Sequence, residues 1–197
     1  MAYRYFYLYK PYGVLCQFSA APGKLTLRDV FENAPRDVYP VGRLDYDSEG
    51  LLVLSNDPAL NSAVLLPKFA HEREYWVQVE GAITREALQK LSQGLWIRIG
   101  GKPYRTKPSL ARMLQQAPHL PARSKPVRVR PSIPDSWISL VLEEGKNRQV
   151  RRMTAAVGFP TLRLVRFRME GLNLDGLAPG EVRELDKNYL FRLLRLL

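Results

Sequence analysis

The chain has 197 residues, 46% of them hydrophobic and 25% charged, which excludes a disordered tail and allows a core to form without staples. Lys and Arg number 30 against 19 Asp and Glu, and the net charge of +11 makes a polyanion the first partner to consider. Cys16 is the only cysteine, so no internal disulfide forms and a reducing, cytoplasmic compartment is expected.

The N-terminal run "MAYRYFYLYKPYG" is broken by charge and is not a signal peptide. No apolar run approaches the roughly 18 residues needed to span a bilayer, so no membrane partner is expected. Residues 3–9 read as an aromatic strand, followed by a turn at Lys10-Pro11-Tyr12-Gly13 and a resumed strand at 14–18. Thr26 with Asp29 marks a helix start before Val30 and Phe31. Residues 38–41 form a short strand leading into an acidic stretch, and the apolar run 51–54 reads as a buried strand. A helix is predicted over 58–66, with Pro58 in its first turn. Residues 74–80 alternate as a strand should, and 84–93 form a helix with Gly94 after it.

Between 100 and 134 prolines and basic residues dominate, and this segment is read as a long surface excursion of the same domain. A strand at 137–142 and a helix at 147–157, stopped by Gly158, follow. Residues 162–174 read as one or two strands with a kink or bulge at Gly171. A short strand at 182–185 precedes a final amphipathic helix over 189–197, capped by Asp186. The mixed order with strands dominating predicts an α+β fold: a mixed, mainly antiparallel central sheet flanked by helices and loops. No Walker-type run or GxGxxG follows any strand, and His71 and His119 lie far from other metal-ligand types.

The stretch "GRLDYDSEGLLVLSND", from Gly42 to Asp57, holds the most chemistry. Asp45-x-Asp47-x-Glu49-Gly50 resembles the opening of a calcium loop, but Asn56 stands where a bidentate Glu belongs and the flanks read as strands. Asp, Ser and Gly between two strands also make an ordinary turn. A third reading is catalytic, because Arg43 beside Asp45 can keep a strand-end carboxylate ionised.

These residues resemble the pseudouridine synthases, in particular the ribosomal RNA branch whose motif reads G-R-L-D-x-D-[T/S]-x-G-L. "KPYGVLCQ", "REYWVQV" and "LEEGKNRQVRRMTAAVGFPTLRLVRFRMEGLNL" are similar to the family's other motifs in the same order, over nearly the whole chain. Within the family the likeness points to the E group of large-subunit ribosomal RNA synthases. The resemblance implies one catalytic domain over 1–197, built of two subdomains with the active-site cleft between two halves. It also implies that the small N-terminal RNA-binding module of many relatives is absent here, which leaves target selection to the catalytic domain and its basic loops.

The implied reaction cleaves the glycosidic bond of a uridine in ribosomal RNA, turns the uracil and rejoins it through carbon 5. It needs no cofactor and no metal. By resemblance Asp45 is the catalytic carboxylate, acting as nucleophile at the anomeric carbon or as base on the adjacent ribose carbon. Arg151 is its ion-pair partner, and Tyr75 stacks on the uracil. Asp47 and Glu49 are turn and sheet-edge residues. Arg43 fills the gap left by the extruded base. Leu44 belongs to the substrate-binding set, and Leu164 lines the uracil pocket or is simply core.

At i, i+3 and i+4 Arg148, Arg151 and Arg152 share a helix face opposite Val150, Met153 and Val157, and Arg148 and Arg152 suit phosphate contacts. Alternation puts Tyr75 and Trp76 on opposite faces of their strand. The wider RNA grip is assigned to Arg123, Lys125, Arg128 and Arg130 and to Arg163, Arg166 and Arg168. The partner is ribosomal RNA, the chain is a monomer, and the competing reading is a non-catalytic RNA-binding or ribosome-assembly protein.

Overall fold

The computed structural model describes residues 2–66, 69–128 and 130–197; Val129, in the Pro- and Arg-rich segment, lies outside them. In chain order the elements begin with β1 (Tyr5–Lys10), β2 (Val14–Leu15), β3 (Leu25–Thr26), α1 (Leu27–Val30), β4 (Tyr39–Val41) and β5 (Glu49–Ser55). Then come α2 (Pro58–Leu65), β6 (Arg73–Glu80), α3 (Arg85–Gln93), β7 (Trp96–Ile99), β8 (Lys102–Arg105) and β9 (Leu110–Met113). The chain closes with β10 (Asp135–Leu142), α4 (Gln149–Ala156), β11 (Thr161–Met169), β12 (Leu172–Asn173), β13 (Val182–Leu185) and α5 (Lys187–Leu193).

Among the described residues one nine-stranded sheet runs β13-β1-β5-β11-β6-β10-β9, with β12 paired to β11 and β4 to β5. Its strand pairs are antiparallel except β5 with β11. The fold is therefore α+β with a mixed, mainly antiparallel sheet, as the order of elements predicts.

Strand alternation sorts the side chains into separate cores. On β1 Tyr5, Tyr7 and Tyr9 face one cluster with Leu51 and Val53, while Phe6 and Leu8 face another with Leu52 and Leu54. Both faces of β1 and β5 are thus covered, which is why 51–54 reads as an unbroken apolar run. On β6 Tyr75, Val77 and Val79 point into a third core with Leu91, Ile138, Met153 and Leu164. Trp76 points the other way and stacks on Phe167, rings 3.8 Å apart and 11° from parallel. The opposite-face expectation for this pair is met.

The two halves of the sheet meet where β5 runs beside β11, in the register Val165↔Glu49 and Arg166↔Gly50. Gly50 makes this approach possible. A Cβ there would lie 2.3 Å from the Arg166 carbonyl oxygen and 2.6 Å from its nitrogen, and the backbone sits at φ +115°. Across the same junction Arg163 donates to both carboxylate oxygens of Glu49, at 2.9 and 2.7 Å. Arg166 Nε donates to Leu51 O at 2.8 Å. Glu49 is 2% exposed on a central strand, not at a sheet edge as the sequence reading placed it.

Other differences have local causes. The helix start at Thr26 yields a single turn, where the Asp29 carboxylate accepts from the Thr26 N–H at 2.7 Å and its hydroxyl at 2.9 Å. The strand expected over 14–18 is only Val14–Leu15. The segment 100–134 is not all irregular: β8 pairs with β7 and β9 edges the sheet beside β10. β8 and β9 are four residues each and mostly exposed, so no long apolar run announces them. Gly171 sits in a tight β11–β12 turn, not a bulge, and its N–H donates to Leu193 O at 2.8 Å. The last helix is Lys187–Leu193, earlier than predicted. Asp186 accepts from Tyr189 N–H at 3.1 Å, and Arg195 at φ 54° lies beyond its end.

Candidate active site

The acidic turn follows β4 and feeds β5 at the junction of the two halves. Ser48 N–H closes it onto Asp45 O at 3.1 Å. Two hydrogen bonds tie it to the N-terminal motif: Gly13 N–H donates to Tyr46 O at 2.9 Å, and Leu44 N–H donates to the Cys16 side-chain Sγ at 3.2 Å. Lys10, with no exposure, shapes that motif by donating to Pro11 O at 2.9 Å and Val14 O at 2.8 Å. Burial pushes its ammonium down to about 8, against the pull of Glu49, Asp47 and Asp45.

A cleft of about 580 Å³ opens beside the turn, a size that accommodates a nucleoside. Arg43, Leu44, Asp45, Tyr75, Arg148, Leu164 and Arg166 all line it, although they come from four separate stretches of chain. Tyr75 and Arg166 are cross-strand partners on β6 and β11, and Leu164 lies one alternation from Arg166 on the same face. Leu164 is also part of the third core, so its two readings are both realised. Arg151, Arg152 and Arg168 are not among the lining residues.

The cations around the turn are arranged differently from the expectation. Arg148 Nη1 and Nη2 donate to the two Asp47 oxygens at 2.8 Å each, and Nη1 lies 3.6 Å from Asp45 Oδ2. Arg151 Nη2 donates to Asp47 O at 2.6 Å, and its Nε lies 3.4 Å from Asp47 Oδ2 without hydrogen-bond alignment. The expected Asp45–Arg151 pair is therefore not formed. Arg148 is the cation within ion-pair distance of Asp45, and Arg151 holds Asp47.

The reason is local backbone. Arg148 adopts φ 50°, ψ 34°, which starts α4 at Gln149 rather than 147 and takes Arg148 off the helix face it was assigned to. Burial would raise the Asp47 carboxyl, but the Arg148 hydrogen bonds and the Arg151 charge outweigh it and hold the group below its ordinary value. Burial holds the Arg151 guanidinium below its usual range, with Asp47 opposing.

Several arginines assigned to RNA are matched inside the protein. Arg163 is bound to Glu49 and to Pro121 O at 2.8 Å. Arg168 Nε donates to Glu74 at 3.0 Å, and its Nη atoms reach Glu170 O and Glu72. Arg152 donates to Arg98 O at 2.7 Å and to Asn147 O at 3.0 Å. Arg130 lies 3.4 Å from Glu80. Arg123 stacks over Tyr12 at 4.4 Å. Lys125 and Arg128 are exposed, as is Arg43 at the cleft.

Other residues take places that the sequence reading did not give them. Asp47 was read as turn scaffolding and is instead the hub of the cations. Arg73, His71 and Glu144 also line the cleft. Glu144 accepts from Tyr104 OH, from Lys107 N–H at 3.0 Å and from Gln149, which fastens the β7–β8 hairpin to the cleft wall. Only their position inside the matching motifs could have flagged Arg73 and Glu144.

The calcium reading fails on bonding, since Asp47 and Glu49 spend their oxygens on Arg148 and Arg163. Among the described residues no group of three or more His, Cys, Asp or Glu side chains is placed to hold a metal ion. Among them, no helix is long and apolar enough to cross a membrane.

A family model described as RNA pseudouridylate synthase matches residues 4–156. A ribosomal large subunit pseudouridine synthase E from Xanthomonas axonopodis pv. citri (strain 306) is 53% identical over 174 residues, 87% of this chain and 88% of that protein. A protein of the same description from Vibrio vulnificus (strain CMCP6) is 47% identical over 176 residues, covering 89% of this chain and 72% of its own. A crystal structure of a pseudouridylate synthase superposes with a TM-score of 0.79 at 27% identity, covering 98% of this chain and 74% of that one. By its motifs, its fold and these likenesses, the chain belongs to the RNA pseudouridylate synthase family.

Proposed function

We propose that this protein converts a uridine of large-subunit ribosomal RNA to pseudouridine, with Asp45 as the catalytic carboxylate. The observation that carries the reading is the position of Asp45: it lines the same cleft as Tyr75 and Leu164, with Arg148 Nη1 3.6 Å from its carboxylate. The relatives described as large-subunit synthases support the substrate.

A uridine in folded RNA must leave its stack to enter such a cleft. Leu164 and Leu44 offer it an apolar wall and Tyr75 a ring to stack on. Arg43, exposed beside Asp45, occupies the space the base vacates. Asp45 then either attacks the anomeric carbon or removes a proton from the neighbouring ribose carbon. In both routes the C1′–N1 bond breaks with its electron pair going to the uracil. The ring turns and carbon 5 bonds to C1′ as the Asp45 ester breaks, or as Asp45 returns the proton to C2′; the carbon 5 proton then leaves, assisted by Tyr75, and N1 takes up a proton. Atoms and electrons balance within the substrate, so no cofactor is required.

Arg148 and Arg151 fix the turn through Asp47, and Arg148 also offsets the Asp45 charge. Lys125, Arg128, Arg123 and Arg130 on the Pro-rich segment contact phosphates. The catalytic unit is one domain of two halves, works as a monomer and resides in the cytoplasm. Mapping pseudouridines in ribosomal RNA from cells lacking the protein tests the reading. One large-subunit site should be lost. An unchanged map favours a non-catalytic RNA-binding protein.

A further inference from the structure

Two guanidinium groups lining the cleft have no carboxylate within ion-pair distance among the described residues. Arg166 is 4% exposed and Arg73 is 8% exposed, and both line the cleft. Arg163 and Arg151, buried or half-buried at the same junction, each meet a carboxylate instead, Glu49 and Asp47 respectively. Arg73 Nη atoms donate only to carbonyls, His71 O at 3.1 Å and Val64 O at 2.8 Å. Arg166 donates through Nε to Leu51 O, and its Nη2 is buried with no hydrogen-bond partner. Burying cations in this way is unfavourable unless something negative arrives.

Their placement says where that charge would be. Arg166 is the cross-strand partner of Tyr75, so their side chains sit about 5 Å apart at the Cβ atoms. Arg73 lies two residues before Tyr75 on the same face of β6. Tyr75 is thus flanked by both cations. Burial holds the Arg73 guanidinium below its ordinary value; Tyr75 and Glu170 oppose this, and the charge of Arg166 adds to it. The absence of a side chain at Gly50, the other neighbour of Arg166, lets β5 close over this spot.

We propose that Arg166, backed by Arg73, holds a carbonyl oxygen of the uracil ring and stabilises the negative charge the ring takes up when its bond to ribose breaks. The inference rests on the reading of this cleft as the uridine site. When the C1′–N1 bond breaks, the electron pair moves to N1 and spreads onto the two ring oxygens. A preorganised donor at one oxygen is stronger for that anion than for the neutral base, so it lowers the barrier. A flat ring edge can reach a floor this buried. A backbone phosphate, esterified on both sides and wrapped in ribose, suits the exposed rim instead.

The test compares wild type with Arg166→Gln and Arg166→Lys in single-turnover reactions at saturating RNA. Each transcript carries uridine or 5-fluorouridine at the target, and loss of the N1–C1′ bond is read by nucleoside mass spectrometry. Fluorine withdraws electrons and stabilises the departing ring anion. Arg166→Gln should slow the uridine reaction by about 10²-fold with RNA affinity unchanged, and the defect should shrink with 5-fluorouridine. Arg166→Lys keeps a charge and guards against a folding failure. One ammonium cannot serve Leu51 O and the ring as the fork does, so it should show the same pattern more weakly.

Weaker RNA binding with an unchanged saturated rate would make Arg166 a phosphate contact and overturn the proposal. Equal slowing of both substrates would make its role structural and overturn it too. If wild type breaks no uridine bond at all, the reading of the site fails. If wild type reacts and the variants match it, only the cationic floor fails.

Discussion

Arg148 and Asp47, 101 positions apart, face each other through two parallel hydrogen bonds of 2.8 Å. This fork joins the turn that carries Asp45 to the start of α4, and Arg151 adds a third bond to the Asp47 backbone. Arg148 and Arg151, from the stretch "LEEGKNRQVRRM", thus act on Asp45 largely through its neighbour. Asp47→Asn should loosen the turn and lower the single-turnover rate about 10- to 100-fold, since small misplacements of a reacting group are costly. RNA affinity should hold. A rate unchanged from wild type would remove Asp47 from the machinery.

The same pair carries a pH signature. The Asp47 carboxyl is held below 3.8, so its share of stability is present above 3.8 and is lost as pH falls through its lower folded value. The neutral amide that replaces it in the Asp47→Asn variant does not titrate and has no such dependence. Urea midpoints of wild type and Asp47→Asn should therefore converge as pH falls below 3.8. A gap independent of pH would contradict the assignment.

The junction of the two halves should be brittle. In Gly50→Ala the new Cβ meets the Arg166 backbone at 2.3 Å with φ at +115°, and the expected loss is at least about 3 kcal/mol. Glu49→Gln leaves the buried Arg163 unpaired and should cost about 3 kcal/mol, whereas replacing both partners by apolar residues should cost less. Denaturant unfolding of the single and double variants measures both.

Charge on the Pro-rich segment should behave differently from charge on β11. Lys125→Ser and Arg128→Ser should each reduce the salt slope of RNA binding by about 1. Arg168→Gln should leave the slope unchanged, because Glu72 and Glu74 already match Arg168. A filter-binding titration across salt concentrations separates the two groups.

The sequence exposes those parts of the molecule whose pattern is local. The aromatic run of β1, the apolar run of β5, the alternation of β6, the Asp186 cap and the dense motif around Asp45 can each be read from a few consecutive residues. What could not be read depends on distant strands. Whether Arg163 meets RNA or Glu49 is decided by the register of β11 beside β5. Whether Arg151 meets Asp45 or Asp47 is decided by one left-handed residue, Arg148, that helical spacing cannot foresee. The edge strands β8 and β9 draw their order from pairing rather than from their own composition. Formal charge also overstated the RNA surface, since much of the arginine is spent on internal carboxylates and carbonyls.

The central claim is that Asp45 performs the chemistry while other residues hold the RNA. The direct measurement is pseudouridine formation by Asp45→Asn in a single turnover on a ribosomal RNA transcript, with RNA affinity measured on the same preparation. The account predicts no detectable pseudouridine and an affinity close to wild type. Pseudouridine at the wild-type rate would contradict it.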